Sequence, residues 1–221
     1  MHSQGGGLPR LHGASLGPTQ NDGGLPDLAI VRSLDHPIMR SPDAWCYNSS
    51  LEPRRKLIPV LKVGQSAPLF GLNATDGKSY SLQEGLKHGP VLAAFFKVNC
   101  PTCQYTFPFL ERLYQQLGSS GVQIWGISQD GIKDSQRFAR DYAVTFPILV
   151  DDYPYRISRE YALEYVPSIF LIAPDGVVTK GSEGFSKRDL LEIQKSLAQA
   201  LAAPVGALFS PREKVPEYKP G

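Results

Sequence analysis

Cysteine is scarce in this chain, with three residues at positions 46, 100 and 103. So small and odd a number excludes a dense internal disulfide framework and leaves at least one sulfur outside any internal pair. That usage fits a redox or reducing-compartment protein rather than a small stapled secreted domain. No stretch approaches the roughly 18 consecutive apolar residues that a membrane span needs. The start, Met1-His2-Ser3-Gln4 followed by three glycines, lacks the charged opening and apolar core of a signal peptide, so cytoplasmic residence is the expectation. An excess of one charge is lacking too. Lys and Arg number 23 against 21 Asp and Glu, a formal net charge of +2, which calls for neither nucleic acid nor an anionic membrane. The one compact basic cluster, Arg54-Arg55-Lys56, is too short to specify a nucleic-acid site and reads as a solvated linker. No internal repeat is present.

What is there suits a soluble globular protein: 42% of the residues are apolar and 20% charged,. Residues 1–57 differ from the rest. Gly5-Gly6-Gly7, Gly23-Gly24 and scattered Pro, Ser and Asn interrupt their apolar stretches, leaving little surface to offset the entropy of ordering. They are expected to form a largely irregular N-terminal extension. Residues 204–221 carry prolines at 204, 211, 216 and 220 and read as a C-terminal tail. A single domain is expected over 58–203.

Within that domain strand and helix patterns alternate. Residues 67–74 and 79–82 flank Asp76-Gly77, a hairpin turn signal. The run 91–98 is apolar but for Lys97, as in a strand covered on both faces. Helical spacing of Phe107, Leu110, Leu113, Tyr114 and Leu117 predicts a helix over 102–117, with Gly118 as its stop. A second buried strand is predicted over 122–127, a helix over 133–142, a short strand over 146–150 and a helix over 156–165. Residues 168–172 and 177–180 flank Pro174-Asp175-Gly176 as a second hairpin. The last helix is predicted over 186–203, opened by the capping sequence Ser186-Lys187-Arg188-Asp189. The order implies an α/β fold whose parallel strands are joined by right-handed crossovers, with an antiparallel hairpin completing a mixed sheet.

The chemistry points to Cys100-Pro101-Thr102-Cys103, directly after the apolar run that ends at Phe95-Phe96. Two cysteines two residues apart can close a small disulfide ring and reopen it. A strand before them and a helix after them put both sulfurs at a helix N-terminus, where backbone N–H groups and the helix dipole stabilise a thiolate. Pro101 suits the first helical turn, where its missing N–H is not needed. Zinc is the rival, since such pairs also open many zinc sites. A structural zinc needs four ligands and a catalytic one usually three. No second pair exists, His2, His12, His36 and His88 are scattered, and Cys46 could join only by folding back. Flanked by Trp45 and Tyr47, Cys46 reads either as a buried small hydrophobe in a docking arm or as a third redox thiol.

These and several separated positions resemble the thioredoxin superfamily over about residues 61–203. Phe95-Phe96 stand before Cys100 where thioredoxins carry an aromatic pair. Pro108 lies where their helix-kinking proline lies, Val166-Pro167-Ser168 looks like their cis-proline segment, and Gly184-Phe185-Ser186-Lys187 is similar to their stretch before the last helix. The finer resemblance is to the redoxin (AhpC/TSA-like) branch, which holds peroxiredoxin-like and reductase-like proteins. It is carried by residues 63–68, by Asp76-Gly77-Lys78 and by the long stretch between Cys103 and Pro167, which fits an extra helix-and-strand insertion.

The resemblance implies a thioredoxin-like fold and a thiol–disulfide oxidoreductase. Cys100 would attack a substrate disulfide and Cys103 would resolve the mixed disulfide. Pro167, in cis, would hold Val166 so that its backbone pairs with an extended substrate segment; Pro101, Thr102 and Lys97 would support the sulfurs. No cofactor beyond the Cys100–Cys103 couple is implied. Substrates would be protein or small-molecule disulfides, and electrons would come from a dithiol protein or a small thiol.

Two departures stand out. Thioredoxins bury an aspartate six residues before the first cysteine, and here Ala94 is in that place. Lys97 is closer to the sulfurs, either to lower a thiol pKa or as a solvent-facing strand-end lysine. Peroxiredoxins carry Pro-x-x-x-Thr-x-x-Cys; here Phe96 replaces the proline and Cys100 the threonine, and the matching arginine is missing. A peroxidase using Cys103 or Cys100 is thus the second expectation. A non-catalytic interaction module is the third.

Overall fold

The computed structural model describes residues 61–221. In chain order these form β1 (Gly71–Asn73), β2 (Ser79–Ser81), α1 (Leu82–Leu86), β3 (Val91–Phe96), α2 (Pro101–Leu117) and β4 (Gln123–Ser128). There follow α3 (Ile132–Asp141), β5 (Ile148–Val150), α4 (Arg156–Glu160), β6 (Ser168–Ile172), β7 (Val178–Glu183), β8 (Phe185–Ser186), α5 (Lys187–Ala200) and β9 (Tyr218–Lys219). A one-turn 3-10 segment, Gly118–Ser120, follows α2.

All six residues of β3 are buried, and the strand is the centre of a five-stranded sheet ordered β5-β4-β3-β6-β7. β3 pairs with β4 in parallel and with β6 antiparallel. The parallel neighbour is reached through α2, and the antiparallel β6–β7 hairpin completes the sheet,. Alternation along β3 divides the core. Leu92, Ala94 and Phe96 face α2 and α5, meeting Phe107, Leu110 and Leu190. Val91, Ala93 and Phe95 face the opposite layer, with Leu82, Trp125 and Tyr161,. The result is the thioredoxin-like architecture that the sequence resembles.

Three helices stop earlier than expected, or without the expected signal. The helix predicted over 156–165 ends at Glu160 because Ala162 turns into the left-handed region, at φ +51°. Its N–H donates to Arg159 O and the N–H of Leu163 donates to Ser158 O, the pair of bonds that closes a helix C-terminus. α3 and α5 end in the same way at Ala143 (φ +51°) and Ala202 (φ +48°). Alanine at a position that favours glycine left no mark in the sequence. The five-residue α1 was not predicted either, since one turn carries no periodicity.

The largest difference concerns residues 204–221, read from the sequence as a tail. Here they are bound along α2 and α5. Leu208 is 1% exposed and joins the core on that face, with Phe209 packed against Phe109. Arg112 donates to both carboxylate oxygens of Glu213, at 2.9 and 2.8 Å, and Gln194 donates to Gly206 O at 2.9 Å. The segment then returns as β9, antiparallel to β8. Prolines removed helix and sheet propensity without removing the apolar anchors.

Candidate active site

β3 delivers the chain to the N-terminus of α2. Cys100 is its N-cap, in an extended conformation (φ −83°, ψ 115°), and Pro101 occupies the first helical turn. The backbone N–H of Cys103 donates to Cys100 Sγ at 3.1 Å. A sulfur thus does what a serine or aspartate oxygen does at an ordinary helix start.

The two sulfurs have different surroundings. Cys100 is partly exposed, while Cys103 is fully buried among the apolar side chains between β3 and α2. Burial pushes the Cys103 thiol well above its ordinary value; its hydrogen bond with Cys100 and the negative charge of Asp130 act in the same direction, and the Lys97 backbone opposes them,. At neutral pH Cys103 is held as a thiol.

Two residues passed over in the sequence hold the approach to Cys100. Asp130 accepts from Val98 N–H through Oδ2 at 2.8 Å, and Gln104 Nε2 donates to Val98 O at 2.8 Å. The signals were indirect. Asp130 follows β4, whose C-terminal end must lie beside that of the parallel β3; Gln104 is one turn past Cys100. Ser128 Oγ in turn accepts from Asp130 N–H at 3.1 Å.

The antiparallel pairing sets Ser168 opposite Phe95, so Val166 and Pro167 lie just beyond the strand end, beside Cys100. The Val166–Pro167 peptide is cis. Cys100 Sγ–H donates to Val166 O at 3.3 Å, and Pro167 O accepts from Gly184 N–H at 2.8 Å. Cys100, Cys103, Val166, Pro167 and the Gly184 turn therefore meet in one place.

Of the two placements considered for Lys97, the side chain takes the solvent-facing one: it is exposed, with Nζ 5.7 Å over the Tyr155 ring. The Lys97 carbonyl accepts from Cys100 N–H at 3.2 Å. Thr102 Oγ1 donates to Pro220 O at 2.6 Å, tying the C-terminal segment to the motif. Ala94 is buried on the same face as Cys103 and places no carboxylate there. Among the described residues no three His, Cys, Asp or Glu side chains group as metal ligands. Cys46 lies outside the described residues. Beside the site is a cavity of about 180 Å³, lined by Lys97, Gln129, Leu163, Glu164, Tyr165 and Val166.

Residues 63–180 match the AhpC/TSA family. Among curated proteins, the thiol-disulfide oxidoreductase ResA of Bacillus cereus is 28% identical over 133 residues, 60% of this chain and 76% of that protein. A solved thiol:disulfide interchange protein from a Bacteroides species superposes with a TM-score of 0.55 at 21% identity, covering 65% of this chain and 93% of that one. The peroxidoxin BcpB of Mycobacterium tuberculosis superposes with a TM-score of 0.54 at 20% identity, over 63% and 97%. The likeness to these two structures concerns the fold.

Proposed function

The chain belongs to the AhpC/TSA family of the thioredoxin superfamily, and on that premise we propose that it is a thiol–disulfide oxidoreductase working through Cys100 and Cys103. The observation that carries this reading is the asymmetry of the two sulfurs: one partly exposed and capped by a backbone N–H, the other fully buried.

The Cys100 thiolate attacks one sulfur of a substrate disulfide. A mixed disulfide forms, the substrate S–S bond breaks, and the departing sulfur takes a proton. Deprotonation of Cys100 also releases the Val166 carbonyl from its S–H donor, freeing it to accept a backbone N–H from an extended substrate. Cys103 then attacks Cys100 Sγ, the bond between Cys100 and the substrate sulfur breaks, and that sulfur leaves as a thiol with the proton that Cys103 gives up. The substrate has gained two electrons and the enzyme holds a Cys100–Cys103 disulfide, which a dithiol protein or a small thiol reduces again. Burial of Cys103 serves this order of events, because its thiol stays out of reach until the mixed disulfide is adjacent.

The second reading is a peroxidase using Cys103 or Cys100; full burial of Cys103 disfavours that sulfur as the one that meets peroxide, which leaves Cys100 for that role. The test is insulin reduction with dithiothreitol as donor. The native chain accelerates it, Cys100→Ser does not, and Cys103→Ser accumulates a mixed disulfide through Cys100. No acceleration over Cys100→Ser would sink the reading, and peroxide consumption abolished by Cys103→Ser alone would put the peroxidase in its place.

A further inference from the structure

The same surface that would receive a substrate is already covered by this chain. Beyond its anchors at Leu208 and Glu213, the C-terminal segment crosses to the site: Lys187 N–H donates to Glu217 O at 3.0 Å, and Phe185 and Ser186 pair with Lys219 and Tyr218. Pro220 O takes the Thr102 hydroxyl at 2.6 Å, and Lys219 Nζ lies 4.9 Å over the Tyr105 ring. Gly221 abuts Val166 so closely that a Cβ on it would stand 2.8 Å from Val166 O and 3.0 Å from Tyr165 Cβ. Val166 O is the atom that holds Cys100 Sγ–H, so Cys100 and Gly221 both approach one carbonyl.

The turn beneath the strap is shaped for it. Gly184 has φ +69°, and a Cβ there would lie 2.4 Å from Lys219 O and 3.1 Å from the Pro220 carbonyl carbon. Glycine at 184 thus allows both the left-handed turn and the close passage of a second backbone. A two-residue strand seated on the edge of β8, with backbone against the cis-proline loop, is how an extended polypeptide adds to a sheet edge.

We infer that residues 217–221 occupy, within the molecule, the groove in which an extended polypeptide substrate binds. The inference rests on the thiol–disulfide reading and deepens it in two ways. It names polypeptide disulfides as the class whose backbone the groove accepts, and it makes the strap a competitor that must lift before such a substrate can pair with Val166. A small disulfide needs only the Cys100 sulfur and no place along β8. The strap therefore discriminates between the two classes.

Three proteins test this: the full chain, a chain ending at Pro216, and Gly221→Val, whose side chain meets Val166 O and cannot lie down. The point substitution guards against a folding defect in the shortened chain. Insulin reduction is expected to rise about fivefold to tenfold in both variants, the scale of one or two net hydrogen bonds lost from the competitor. Glutathione disulfide reduction is expected to change less than about twofold. A synthetic peptide of residues 215–221, followed by fluorescence anisotropy, is expected to bind the shortened chain and not the full one, and to slow insulin reduction by the shortened chain. Insulin rates unchanged or lowered in both variants would overturn the inference, as would a peptide that ignores the vacated groove. If no form reduces any disulfide, the oxidoreductase reading falls by itself, while peptide binding still decides the occupancy of the groove.

Discussion

Two stretches of chain meet at the Val166 carbonyl, and they are built by different rules. The Lys97–Cys103 turn is held by nearby groups: Cys103 N–H to Cys100 Sγ across 3 residues and Gln104 to Val98 across 6, with Asp130 reaching back over 32. The strap is held from far away. Arg112 meets Glu213 across 101 residues, and Thr102 meets Pro220 across 118. The first is a motif that strand and helix propensities bring into place. The second depends on surfaces that exist only once α2, α5 and β8 are packed. The placing of the two sulfurs is encoded locally, whereas what covers them is encoded at long range.

The largest effect that would test this contrast falls on the local half. Cys100→Ser is expected to lower disulfide reduction by roughly 10³-fold or more, as loss of a nucleophile does, without shifting the unfolding midpoint by much. Iodoacetamide at pH 7.5 is expected to modify Cys100 and spare Cys103 in the native chain, read by peptide mass spectrometry. Early labelling of Cys103 would contradict its burial.

On the distant half, Leu208→Ala removes an anchor that is 1% exposed and is expected to cost about 2–4 kcal/mol of stability in urea unfolding. It should also loosen the strap, so insulin reduction rises while stability falls. If both fall together, the strap and the site are not separable in this way.

A smaller effect is pH-dependent. The Arg112 guanidinium, helped by the Ser210 N–H, lowers the Glu213 carboxyl from 4.5 to about 2. A carboxylate whose folded pKa is depressed stabilises the folded chain above its unfolded value and loses that contribution as pH falls through the folded one. The stability difference between the native chain and Arg112→Ala should therefore be constant above about pH 4.5 and close toward about pH 2. A difference that persists at pH 2 would mean that Arg112 acts through packing, for instance over the Phe109 ring, which its guanidinium faces at 5.4 Å.

The smallest expected change is a gain. Ala162→Gly or Ala143→Gly relieves a left-handed residue at a helix end and should add up to about 1 kcal/mol. The site does not involve either residue, so activity should stay as it is.

Much of the fold was legible because it is periodic. The apolar run of β3, the helical spacing of α2 and the Asp76-Gly77 turn each state their structure within a dozen residues. The capping Ser186 does as well, and its Oγ accepts from Asp189 N–H at 3.3 Å. Helix ends at Ala143, Ala162 and Ala202 were not legible, since alanine favours continuing a helix and only the packed context turns it. Asp130 and Gln104 escaped notice for another reason: a polar residue after a strand or on a first helical turn is ordinary until its partner is known.

The sequence by itself determined where the two sulfurs stand. Spacing sets two sulfurs one helical turn apart, Pro101 starts the helix, and Phe95-Phe96 buries the strand that delivers them. Tertiary structure alone decided how the two differ and what lies over them. Packing of α2 on the sheet buries Cys103 and leaves Cys100 partly open, a difference of environment rather than of residue type. The fate of 204–221 was decided in the same way. Proline-rich residues with two-residue strand content carry no local preference strong enough to read, and they gain order only from Leu208 in a pocket, Glu213 on a guanidinium and a free edge at β8.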